Sequence, residues 1–107
     1  MVGNTKAETL KHFIIKCMIY KRICELGHKG NVEYDTEGLG IFDVVDWDSG
    51  LVYEVWGNQP SKGAVNVKLM KYTKYGGIRD VISVNAYTFS KRSSVAHWYE
   101  QIKEMIV

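Results

Sequence analysis

Residues Gly40 to Trp56 constrain the fold of this chain more than any other stretch. They read Gly40-Ile41-Phe42-Asp43-Val44-Val45-Asp46-Trp47-Asp48-Ser49-Gly50-Leu51-Val52-Tyr53-Glu54-Val55-Trp56. β-Branched and aromatic residues dominate on both sides of Asp48-Ser49-Gly50, the composition of two strands joined by a tight turn. Each strand also carries an acid in its middle, Asp43 or Asp46 on the first and Glu54 on the second. A carboxylate inside an apolar strand is costly to bury unless a positive partner sits beside it. A divalent metal ion is one such partner. The plainer alternative is solvent on the open face of a half-exposed sheet.

The remaining segments supply elements to surround this hairpin. Thr5 with Glu8 three residues on has capping-box spacing, and apolar residues then recur at helical intervals as far as Leu26. That helix is apolar over most of its girth, so it is expected to pack on a sheet and on a second subunit. Gly27 ends it, and Asn31 to Asp35 follows as a short strand. After the hairpin, Ser61 can cap a helix over 62–75, although Val65, Val67 and Leu69 also fit a strand. Asp80 to Tyr87 reads as a strand, Thr88 to Ser94 as a basic polar loop, and 95–106 as a closing helix. The order is α-β-β-β-α-β-α. Three consecutive strands form an antiparallel meander, and the helical crossover lays the last strand parallel to the one before it. The expected class is α/β, with helices packed on a mixed sheet.

The 107 residues fit one domain, and 46% hydrophobic with 24% charged residues excludes disorder. A net charge of +2 is too small to argue for nucleic acid by itself, so that argument rests on local clusters. Cys17 and Cys24 stand seven apart in one helix, about 10 Å along its axis, which is too far for a disulfide. They are expected to be reduced core thiols, and no zinc spacing is present. Lys6, Glu8 and Lys11 interrupt any signal peptide, and no apolar run is long enough to cross a membrane. A soluble cytoplasmic protein is expected.

The element order, with acids on the second and third strands, resembles the PD-(D/E)XK nuclease superfamily and its restriction-endonuclease-like fold. It is most similar to the small forms found among archaeal Holliday-junction resolvases and in mobile elements or viruses. Gly40-Ile41-Phe42-Asp43-Val44 matches the strand that brings the metal-binding aspartate. Val52-Tyr53-Glu54-Val55-Trp56 matches the next strand, whose pattern is an acid, any residue, then lysine. The resemblance implies a metal-dependent DNA endonuclease or resolvase-like hydrolase, working as a homodimer. It implies Mg²⁺ or Mn²⁺ held by Asp43, Glu54 and the backbone of Val55, with Glu8 as a further acid. The chain departs from the pattern at Trp56, where the lysine should be. Two readings stay open. Either the lysine has moved to the next helix, with Lys62 and Lys68 as candidates, or the fold has been kept without catalysis, as a DNA-binding or structural protein of a mobile element.

The hairpin register decides which acids meet. With a two- or four-residue loop centred on Asp48-Ser49, residue 43 faces 54; with a three-residue loop and a glycine bulge, Glu54 shares a face with Asp46 instead. The resemblance favours Asp43. Lys71 and Lys74 beside the lysines already named, and Lys91 with Arg92 among the serines of the basic loop, are the candidate DNA-phosphate contacts. Each set is also what an ordinary solvated surface looks like.

Overall fold

The computed structural model describes residues 9–107, so the expected Thr5 cap and Glu8 lie outside the described residues. Helix α1 spans Leu10–Glu25 and begins at Thr9, whose hydroxyl accepts the His12 amide. Strands β1 (Gly30–Asp35), β2 (Ile41–Asp46) and β3 (Leu51–Trp56) follow, then helix α2 (Lys62–Tyr72), strand β4 (Asp80–Asn85), a 3-10 turn (Ala86–Thr88) and helix α3 (Val95–Met105). The sheet order is β1-β2-β3-β4; the first three strands are antiparallel and β4 runs parallel to β3. This is the α-β-β-β-α-β-α order and the mixed sheet that the sequence led us to expect.

Two apolar clusters hold helices on the two faces of the sheet. Ile15, Ile19 and Ile23 of α1 pack with Trp98 and Ile102 of α3 against Val44, Tyr53 and Val84. On the other face, Tyr72 and Leu69 of α2 meet Phe42, Val45, Val52 and Val81. The result is a three-layer α/β/α arrangement.

The ambiguous segment after the hairpin is helical because its start is capped and its apolar side is used. The Ser61 hydroxyl accepts the Ala64 amide at 3.1 Å. It ends at Tyr72 rather than at residue 75, which frees Tyr75 to hydrogen-bond the Tyr34 hydroxyl at 2.7 Å. Likewise β4 stops at Asn85, whose side-chain oxygen accepts the Tyr87 amide and turns the chain.

The expectation that both cysteines are core thiols needs correction. Neither is in a disulfide, but both are exposed. Ile15, Ile19 and Ile23 form the side of α1 that meets the sheet, and the seven-residue spacing puts Cys17 and Cys24 together on the other side. Leu10, Phe13 and Tyr20 are exposed on the same helix. Among the described residues, no helix is long and apolar enough to cross a membrane.

Candidate active site

Register in the hairpin is set by its turn. Val44 pairs with Tyr53, Val45 with Val52 and Asp46 with Leu51, which leaves a four-residue loop of Trp47, Asp48, Ser49 and Gly50. Gly50 closes it at φ +73°, a left-handed conformation that glycine adopts without steric cost. One step further along the same register sets Asp43 opposite Glu54.

At that step the ladder gives way to side chains. The Asp43 amide donates to Glu54 Oε2 at 2.9 Å, and the Val55 amide donates to Asp43 Oδ2 at 2.8 Å. The two carboxylates therefore take the place of backbone acceptors where β2 and β3 part. The distortion continues into β1. Glu33, which falls opposite Asp43 between the pairs Val32–Val44 and Tyr34–Phe42, has φ +52°, unusual for a residue with a side chain. Strand alternation also breaks here: Phe42 packs on the α2 side and Val44 on the α1 side. Backbone strain of this sort costs on the order of 1–3 kcal/mol and persists only where the surroundings enforce it.

The opened strands hand their acids to a lysine on each face. Lys16 of α1 reaches Asp43 Oδ1 at 3.4 Å and Glu33 Oε2 at 3.1 Å. Lys68 of α2 reaches Glu54 Oε1 at 3.1 Å and donates to the Tyr72 hydroxyl at 3.0 Å. Tyr72 in turn donates to the Ile41 carbonyl, which fixes the ring beside the lysine. Trp56 lies under the same ammonium, 5.9 Å from ring centre to Nζ. Its indole nitrogen is buried without an acceptor among the described residues.

Glu54 is 4% exposed. Burial pushes its carboxyl above the usual range and the neighbouring Asp43 charge adds to this, while the Asp43 amide and Lys68 only partly offset them. For Lys68, burial works against the ammonium, but Tyr72 and Glu54 outweigh it and hold its pKa up. The site thus joins two close carboxylates, one of them reluctant to ionise, to a lysine that stays charged.

Asp46, the other acid considered for the metal, is fully engaged elsewhere. Its oxygens accept the Asp48 amide at 3.0 Å, the Ser49 amide at 3.1 Å and His28 Nδ1 at 2.7 Å. Burial alone would raise its carboxyl, but His28 and Ser49 prevail and leave it lowered. It ties the hairpin turn to the loop after α1.

The other candidates are dispersed. Lys62 opens α2, about 9 Å along the axis before Lys68, and is exposed. Lys71 and Lys74 are exposed on the α2 layer, while Lys91 and Arg92 are exposed in the loop leading to α3 on the opposite face. The four do not gather into one patch. Lys16 was not singled out from the sequence. Its signal was present: Lys16, Ile19 and Ile23 follow core spacing, so a cation stood inside a buried helical stripe.

The donor set suits a hard divalent cation. Asp43 and Glu54 offer oxygens, and Val55 adds its carbonyl, which an extended strand sets toward the same gap as its amide. Mg²⁺ is typically held by one or two carboxylates together with water and phosphate. Burial, and after it the Asp43 charge, raise Glu54; an added cation would offset the second of these. Among the described residues, no group of three or more His, Cys, Asp or Glu side chains that could hold a metal ion converges. In comparisons with known protein families, curated proteins and solved structures, the chain has no significant match.

Proposed function

We propose that this protein is a metal-dependent phosphodiester hydrolase acting on DNA, similar in design to the PD-(D/E)XK nucleases. The observation that carries the reading is Lys68. It comes from the helix after the hairpin and stands 3.1 Å from Glu54, over the Trp56 ring that occupies the expected lysine position. Asp43, Glu54 and the Val55 carbonyl would hold Mg²⁺ or Mn²⁺. When bound, the ion lowers the pKa of a coordinated water and polarises the phosphodiester.

The chain's own residues do the rest. Asp43 and Glu54 are held in place by each other's strand, through the Asp43 and Val55 amides, so a cation would need to displace only Lys16 from Asp43 Oδ1 and Lys68 from Glu54 Oε1. Lys68 has 35% of its side chain exposed, so its ammonium can turn from Glu54 to a phosphoryl oxygen and offset the charge that builds there. Tyr72, anchored on the Ile41 carbonyl, limits how far the lysine swings. Lys16 neutralises Asp43 and Glu33 from the other face. The exposed Leu10, Phe13 and Tyr20 along α1 give a homodimer an apolar surface to use.

One observation favours a second reading, a DNA-binding module without catalysis. All four carboxylate oxygens of Asp43 and Glu54 already face a donor. Incubating the protein with linear and branched DNA in Mg²⁺ or Mn²⁺ separates the two. Cleavage that disappears in Asp43→Asn and Lys68→Met supports the hydrolase. Salt-sensitive binding with no cleavage in either metal supports the module.

A further inference from the structure

Past the end of β3 lies a cleft of about 840 Å³ that the proposed chemistry does not use. Lys11 and His12 at the start of α1 form one wall; Tyr87, Ser90 and Lys91 form the other; Gly57, just past the end of β3, is the floor. The cleft opens at the carboxyl ends of the parallel strands β3 and β4, where open α/β sheets commonly take ligands. A side chain at Gly57 would meet the His12 ring at 3.4 Å, and Gly57 is three residues beyond Glu54. Lys16 lies one turn along α1 from His12.

Its lining is selective. Among the described residues its lining contains no carboxylate, and Lys11 also lies over the Trp98 ring, 5.6 Å from its centre. Burial, and after it the Lys91 charge, make the Lys11 ammonium easier to deprotonate. Tyr87 offers a ring that is 77% exposed. The volume matches one nucleotide-sized ligand and is too small for a duplex. Cations, a hydroxyl and an exposed aromatic face are together the equipment for a phosphate with a base attached.

We propose that this cleft takes one unpaired nucleotide of a DNA strand, with its phosphate between Lys11 and Lys91 and its base on Tyr87, so that the preferred substrate has a single-stranded segment. This rests on the reading of the protein as a DNA-directed hydrolase and names the substrate class for it.

The test measures binding of fluorescein-labelled oligothymidylate and of a duplex of equal length by anisotropy in EDTA, where no cleavage occurs. Single strand is expected to bind at least about tenfold tighter than duplex. Tyr87→Ala should weaken single-strand binding by roughly 5- to 150-fold, the range for one stacked base. Replacing Lys11 by Gln and Lys91 by Ala together should lower the salt slope by about 0.7, the value for one phosphate contact on a single strand. Equal or tighter duplex binding, or an unchanged Tyr87→Ala affinity, overturns the cleft assignment. Cleavage is scored separately with Mg²⁺ on flapped and fully paired DNA. Tight single-strand binding without cleavage supports the cleft and defeats the hydrolase; cleavage that ignores both the flap and Tyr87 does the reverse.

Discussion

Asp46 and Glu54 belong to the same hairpin and are 2% and 4% exposed, yet their carboxyls shift in opposite directions. At the turn end, two backbone amides and His28 converge on Asp46. At the open end, Glu54 has one amide and one lysine, and it shares the gap with Asp43. Burial disfavours the charged form of both. What differs is whether the fold supplies enough donors to restore it. A fully served carboxylate staples the turn. Glu54, buried beside Asp43 and with fewer donors than Asp46, is held partly against its charge, and a bound cation would offset that.

The comparison breaks most sharply by substitution at each acid. Glu54→Gln is expected to lower metal-dependent cleavage by roughly 10²–10³-fold, the usual loss when one preorganised electrostatic group is removed. Its melting temperature should be unchanged or higher, since the folded protein already disfavours the Glu54 charge. Initial rates and thermal melts of the same preparation check both halves. Asp46→Ala should do the opposite. It strands the Asp48 and Ser49 amides and unpairs His28, a loss of about 2 kcal/mol. For a domain of this size, that lowers the melting temperature by roughly 8–16 °C. Its cleavage rate, measured well below that temperature, should stay near wild type. Lost cleavage in Asp46→Ala at a temperature where it is folded would erase the distinction.

The two ends of the hairpin were not equally legible in the sequence. Element order and the parallel placement of β4 follow from hydrophobic periodicity, caps at Ser61 and Ser94 and the handedness of crossovers, all local signals. The register was left open because two-, three- and four-residue loops all suited Asp48-Ser49-Gly50. Only the closing of Trp47 to Gly50 as four residues sets Asp43 opposite Glu54. Lys68 could be named as a candidate because the helix had to follow the hairpin, but its six-residue separation from Lys62 decides the matter only once the helix is docked. Lys16 was passed over because a single lysine on a largely apolar helix looks like surface. Its partners, Asp43 and the left-handed Glu33, are distant in sequence. The exposure of Cys17 and Cys24 was missed for the converse reason: small apolar residues fit either side of a helix.

Metal titration sharpens the contrast without altering the rate-determining chemistry. Mn²⁺ at ten times its dissociation constant should stabilise the folded protein by about 1.4 kcal/mol. The same addition should do little for Glu54→Gln, and it should leave the Asp46→Ala increment intact on its lower baseline. Calorimetric melts with and without Mn²⁺ measure this. Equal stabilisation of wild type and Glu54→Gln would place the ion elsewhere.

The smallest expected effect is in the pH dependence of stability, where both ends of the hairpin contribute. The hydrogen bond to Asp46 raises the His28 pKa; burial works against it, and the charges of Asp46 and Asp48 reinforce it. Its contribution is therefore complete below about pH 6.5, the unfolded value, and is lost as pH rises through the folded one. Asp46, lowered in the folded state, contributes above about pH 4 and loses its share as pH falls through its folded value. The turn is thus best held between these limits. Glu54 has a raised carboxyl, so its share is greatest below about pH 4.3 and drains away as pH climbs through the folded value. Both ends make stability decline toward neutral pH, and single variants separate them. Urea midpoints from pH 5 to 8 should lose their upper slope in His28→Gln and their lower slope in Glu54→Gln. If His28→Gln flattens neither, the histidine is not paired with Asp46 in solution, and the turn end of the hairpin is held by the two amides alone.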